Sequence, residues 1–252
     1  MENYKFNYKS ENPEKIDEQT EELISTLQSE PFFEAFDVDE LEKNGMERQV
    51  INDLNVATIE LAQELGCESN IFLSQNIHIM SEEEYNSKID KYEKTKAVHI
   101  YGHVYMKRQD DPNMLILTLS HELAHGSAYY ELQLRHKFKD KNVFDINTRN
   151  SGYAFTPNAK AEKADFSGLN EAVTEIFASL IRERYIVNNK EEMSAEQIID
   201  LTKTPVYFGN QAVLSRMIWE MKNDEKKYAE MINQIIRGYI KGDYSWLKEF
   251  EK

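Results

Sequence analysis

The chain has 252 residues, 40% of them hydrophobic and 30% charged, which is enough apolar material for one generous domain or two small ones. A net charge of −15 and a pI near 4.9 speak against a nucleic-acid backbone or an anionic membrane surface as partner, because neither would be attracted. Cys67 is the only cysteine, so neither a disulfide framework nor a thiolate metal cage can be built. The first residues hold no basic segment followed by an apolar core, and no apolar run approaches the length needed to cross a bilayer. The expectation is therefore a cytoplasmic protein.

In chain order, residues 1–12 are polar, with Tyr4, Phe6 and Tyr8 alternating as in a short strand. From Pro13, the residues Ile16, Leu23, Ile24 and Leu27 recur at helical spacing until Pro31-Phe32-Phe33 breaks the pattern. A longer helix is predicted over 47–65, where Val50, Ile51, Leu54, Ala57, Leu61 and Leu65 share a face and Gly66 is placed to end it. Residues 71–80 read as the first strand of a sheet, and Ser81 as the cap of a short helix with Glu84 three residues on.

Residues 97–106 read as one strand, with Val98, Ile100, Val104 and Met106 on one parity and His99, Tyr101, His103 and Tyr105 on the other. That pattern describes either an exposed aromatic face or a strand that pairs with an extended peptide while its rings line a cleft. A dense apolar run after Pro112 then predicts a helix carrying Leu115, Ile116, Leu117, Leu119, Leu123 and Ala124. Beyond it, 129–134 stays apolar, and 136–141 is a polar turn. Short strands are expected at 143–145 and 152–155 about the turn Asn150-Ser151-Gly152, and 156–166 reads as a loop.

Gly168 to Tyr185 is a helix with Leu169, Val173, Ile176 and Leu180 in a stripe. Several more helices follow over 193–251, one carrying Val213, Ile218, Trp219 and Met221, another Met231, Ile232, Ile235, Ile236 and Tyr239. The fold class is α+β, mostly helical, with a small sheet ahead of the central helix and a helical C-terminal part. Its organisation is an N-terminal helical region over 1–70, a core over 71–188 and a C-terminal helical region over 189–252, or one continuous domain.

The central helix contains His121-Glu122-Leu123-Ala124-His125, an H-E-x-x-H pattern. A helix turns about 100° per residue, so His121 and His125 differ by only about 40° and lie one turn apart, both able to reach one ion. Glu122 points about a quarter turn away, which suits a general base beside a metal-bound water better than a ligand. A hydrolytic zinc site usually keeps three protein ligands, so a third is needed. Glu171 and Glu175, at i and i+4 opposite the apolar stripe, repel each other on a bare helix. A metal and its histidines would turn that repulsion into attraction, with Glu171 as ligand and Glu175 holding the second ring nitrogen of a liganding histidine.

The H-E-x-x-H pattern, followed by a helix with Asn170-Glu171-x-x-x-Glu175, resembles the gluzincin class of zinc metallopeptidases. The wide separation of the two motifs looks like the branch of anthrax-lethal-factor type. The resemblance covers about residues 97–185. It implies a zincin-like fold, a Zn2+ cofactor, endopeptidase activity on a peptide or protein substrate, His121, His125 and Glu171 as ligands, and Glu122 as base. No tyrosine immediately precedes Glu171, a departure from that branch. For the oxyanion donor that acyl transfer needs, Tyr153 is the first candidate and His103 the second. Two other readings use the same residues: a zinc hydrolase of a non-peptide amide, and a helical interaction protein with a structural or decayed site. A structural site would be closed by a fourth ligand such as His99, His103 or His136. A base at Glu122 has no role in such a site.

Overall fold

The first long helix, α1 (Gly45–Glu64), starts where Asn44 and Glu47 cap each other: the Asn44 side chain accepts from the Glu47 amide and the Glu47 carboxylate accepts from the Asn44 amide. It stops where Gly66 takes a φ of 65°, a conformation cheap only for glycine. The structure is a computed structural model that describes residues 7–10, 36–67, 74–90, 95–100, 102–136, 144–151, 154–155, 167–203, 224–243 and 245. The helix expected after Pro13, the loop at 156–166 and the Val213–Met221 stripe lie outside the described residues.

A small sheet is built from β2 (Ile77–Met80), β3 (Ala97–Ile100) and β4 (His103–Lys107), in the order β2-β4-β3, with β2 parallel and β3 antiparallel to β4. The short helix α2 (Glu82–Lys88) lies between β2 and β3 in the chain, with Ser81 accepting from the Glu84 amide as its cap. Residues 97–106 are thus a hairpin and not one strand, reversing next to Gly102, whose φ is 89°. The reversal changes which residues share a face. Ala97 pairs with Met106 and His99 with Val104 on one side; Val98 pairs with Tyr105 and Ile100 with His103 on the other.

After β4, Arg108 reaches the buried Glu47 of α1 with bonds of 2.9 and 3.1 Å. Asp111 then caps α3 (Pro112–Gly126), which has Pro112 in its first turn. This helix is apolar nearly all round, and it is buried to match between α1, the sheet and α4 (Ser167–Asn189). A single apolar cluster draws Leu54 from α1, Ile79 and Val104 from the sheet, Leu119 from α3 and Phe177 from α4. It extends through Leu201 of α5 (Ala195–Lys203) to Ile235 of α6 (Glu225–Lys241). Met80, Tyr85 and Tyr105 form a second small cluster on the opposite face of the sheet.

A second sheet follows α3. Its strands β1 (Asn7–Ser10), β5 (Tyr130–His136), β6 (Phe144–Ser151) and β7 (Ala154–Phe155) lie in that order, with β1 parallel to β5 and the other pairs antiparallel. Tyr130 to His136 is a full strand, and β6 is longer than the short segment expected at 143–145. The described chain is mostly helical with two small sheets, an α+β arrangement. No described helix is long and apolar enough to cross a membrane.

Candidate metal centre

Packing of α3 against α4 brings His121, His125 and Glu171 together, and among the described residues they form the one group of three or more such side chains able to hold a metal ion. The two Nε2 atoms are 3.1 Å apart. Glu171 Oε2 lies 3.6 Å from His121 Nε2 and 3.5 Å from His125 Nε2. Donors about 2.0–2.1 Å from one tetrahedral ion are separated by about 3.3 Å, so the triangle suits a small divalent cation.

The other ring nitrogens are held from behind. His121 Nδ1 lies 3.2 Å from Glu175 Oε2, a carboxylate with no exposed surface. His125 Nδ1 is 3.4 Å from Thr174 Oγ1. Thr174 donates its own hydroxyl proton to the Asn170 carbonyl at 2.9 Å, so its oxygen can accept from His125 and from the Tyr239 hydroxyl at 2.7 Å. Both imidazoles are thereby held with a proton on Nδ1 and with Nε2 turned to the site, the tautomer that a metal ligand requires. Tyr239 comes from α6, so that helix supports the centre through Thr174.

The electrostatics call for a cation. Burial disfavours the His121 imidazolium, yet Glu171 and Glu175 outweigh burial and raise its pKa to about 9. Burial works against the Glu171 carboxylate as well, but the two imidazoles hold its pKa far below the usual carboxylate range. Glu175 is also shifted down, against its burial, by His121 and Arg182. With no metal, a proton on His121 occupies the place of positive charge among these acids.

Glu122 is buried beside the group. Burial raises its pKa, the nearby imidazoles of His125 and His121 oppose that, and its carboxylate also accepts the backbone N–H of His99. That bond ties the acid to β3, the edge strand of the first sheet, which packs on α3.

Of the other residues singled out by sequence, His103 is not in the metal group. The hairpin reversal sends it to the face of the sheet away from α3, where its Nδ1 lies 2.8 Å from His78 Nε2 and His78 in turn meets Glu40 at 2.6 Å. It is therefore misplaced both as oxyanion donor and as fourth ligand. His99 stays on the α3 side but is engaged elsewhere: its Nδ1 meets the Tyr130 hydroxyl at 3.0 Å and its Nε2 accepts from the Gly102 amide at 3.2 Å. Burial keeps its pKa well below 6.5. Tyr153 and the His136 side chain lie outside the described residues.

Thr174, Arg182 and Tyr239 escaped the sequence reading. Thr174 at i+4 from Asn170 and Arg182 at i+7 from Glu175 share the ligand-bearing helix face, and Tyr239 comes from α6, but only the fold supplies their partners. No family model matches the chain, and no curated protein or solved structure does either.

Proposed function

We propose that the protein is a zinc-dependent peptidase of gluzincin type, with a zincin-like core, His121, His125 and Glu171 as ligands and Glu122 as general base. The observation that carries this reading is the convergence of three ligand atoms from two helices with a buried acid, not itself in the triangle, beside them. A bound Zn2+ supplies Lewis acidity, acidifying a water and polarising a carbonyl. Glu122 has no role in a site that is only structural, and its raised pKa brings it closer to the range in which a carboxylate can both take and return a proton near neutrality. In this role it takes the proton of the attacking water and delivers it to the departing amine.

The amide of His99 holds Glu122 from the strand side, limiting its rotation. The same edge strand runs beside the site and offers an extended peptide a line of backbone groups along which to lie. Tyr153 is the sequence candidate for the remaining oxyanion donor.

Replacing Glu122 by Gln tests the assignment. The variant should bind about as much zinc as the parent and lose hydrolysis of a diverse peptide library by at least about 100-fold, the scale of a missing acid–base group. A Glu122→Gln protein that cleaves as fast as the parent excludes this mechanism.

A further inference from the structure

We propose that Arg182 is a positioning residue of the metal centre that acts on His121 through Glu175. The proposal rests on the metal reading above and adds a residue that no motif marks. Arg182 lies two turns beyond Glu175 on α4, on the same face, and is only 3% exposed. Its Nη2 donates to Glu175 Oε1 at 2.8 Å and to Ser179 Oγ at 2.8 Å, and its Nη1 donates to Ser120 Oγ at 3.2 Å. Ser120 immediately precedes His121. One guanidinium therefore grips the residue next to the first ligand on α3 and the carboxylate bonded to that ligand on α4.

Packing alone does not call for this arrangement. Elsewhere the two helices meet through apolar side chains such as Leu119, Leu123, Val173 and Phe177, all without exposed surface. Taking a guanidinium and a carboxylate out of water carries a desolvation penalty of several kcal/mol per ion, and good geometry offsets it only in part. The pair stands where a buried acid has to be ionised and aimed.

Each oxygen of Glu175 has its own partner, Oε2 with His121 Nδ1 and Oε1 with Arg182. A planar cation that stays charged at any working pH fixes the plane of that carboxylate, and so the direction from which it holds the imidazole. The Nε of Arg182 is buried without a hydrogen-bond partner among the described residues. The terminal nitrogens thus set the pose of this side chain, at the expense of its third donor position.

The test uses the full chain, stripped of metal and titrated with Zn2+ against a chelating dye. Arg182→Met should weaken zinc binding by about 10- to 100-fold, the usual effect of losing a group that orients a ligand, with Arg182→Lys between it and wild type. Glu175→Gln should lose a similar amount. Adding Arg182→Met to Glu175→Gln should then change zinc affinity by no more than about twofold, since the route through Glu175 is already cut. The double variant also removes both buried charges and so avoids the unpaired carboxylate that could unfold Arg182→Met. If that single variant does not fold, Arg182→Lys and the double variant still decide the matter.

The visible spectrum of the Co2+-substituted protein should change in the same way in Arg182→Met and Glu175→Gln. Zinc binding as tight as wild type in Arg182→Met, or an equal loss in both backgrounds, overturns the proposal while leaving the metal site standing. A wild-type chain that binds no Zn2+ overturns the metal reading and this proposal together.

Discussion

In the absence of metal, His121 acts as its own cation, and this makes it the most exacting point at which to test the site. Burial opposes its charge, but Glu171 and Glu175 raise its pKa from 6.5 to about 9. A group whose pKa is raised by folding contributes stability that is fully present below its unfolded value and is lost as pH climbs through the folded value. The window therefore opens near 6.5 and closes near 9. At about 1.4 kcal/mol per pKa unit, the contribution lost across it is about 3 kcal/mol. His121 is only 6% exposed, so solvent screening removes little of this.

The comparison is between wild type and His121→Asn, both treated with chelator and unfolded in urea at about pH 6, 7.5 and 9.5. Relative to the variant, wild type should lose about 3 kcal/mol on going from the lowest to the highest pH. In the wild type Glu171 and Glu175, both shifted downward in part by His121 itself, titrate below this window. Saturating Zn2+ should flatten the difference, because the ion then meets the charge requirement that the proton had met. Parallel pH profiles for the two chelated proteins would refute the account of a site that is short of positive charge.

Two further outcomes follow from the same geometry. Glu171→Ala should lose stoichiometric zinc in an elemental measurement; an undiminished content would move the third ligand to Glu175 or another residue. Gly242→Ala should destabilise the chain by more than the roughly 1–2 kcal/mol of a left-handed non-glycine residue, judged by urea midpoint. Its φ is 71°, and an added Cβ would come within 2.6 Å of the Tyr129 ring, just after α3. An unchanged midpoint would mean that α6 does not dock there as described.

Much of the site was legible along the chain. The apolar run after Pro112 and the spacing of His121 and His125 are local properties of one helix, and the repulsive Glu171/Glu175 pair announced a second helix with something to bind. Glu175 is wholly buried against α3 and Arg182, which the spacing of the two glutamates does not disclose. The hairpin at 97–106 is hidden from parity counting, which assumes an unbroken strand. The chain reverses next to Gly102, which moves His103 across the sheet. The strand Tyr130–His136 carried a signal that was passed over, an alternation of Tyr130, Leu132 and Leu134 with Glu131, Gln133 and Arg135.

The sequence by itself determined the helices, their caps and which chemical groups share a helix face, because these depend on backbone sterics and on neighbours within one or two turns. Only the tertiary structure decided that α3 and α4 cross where Glu171 meets two imidazoles, that Arg182 faces Ser120, and that Tyr239 arrives from the C-terminal helix. Those meetings join residues tens of positions apart, and they follow from how whole apolar faces pack into one core. No local pattern encodes that outcome.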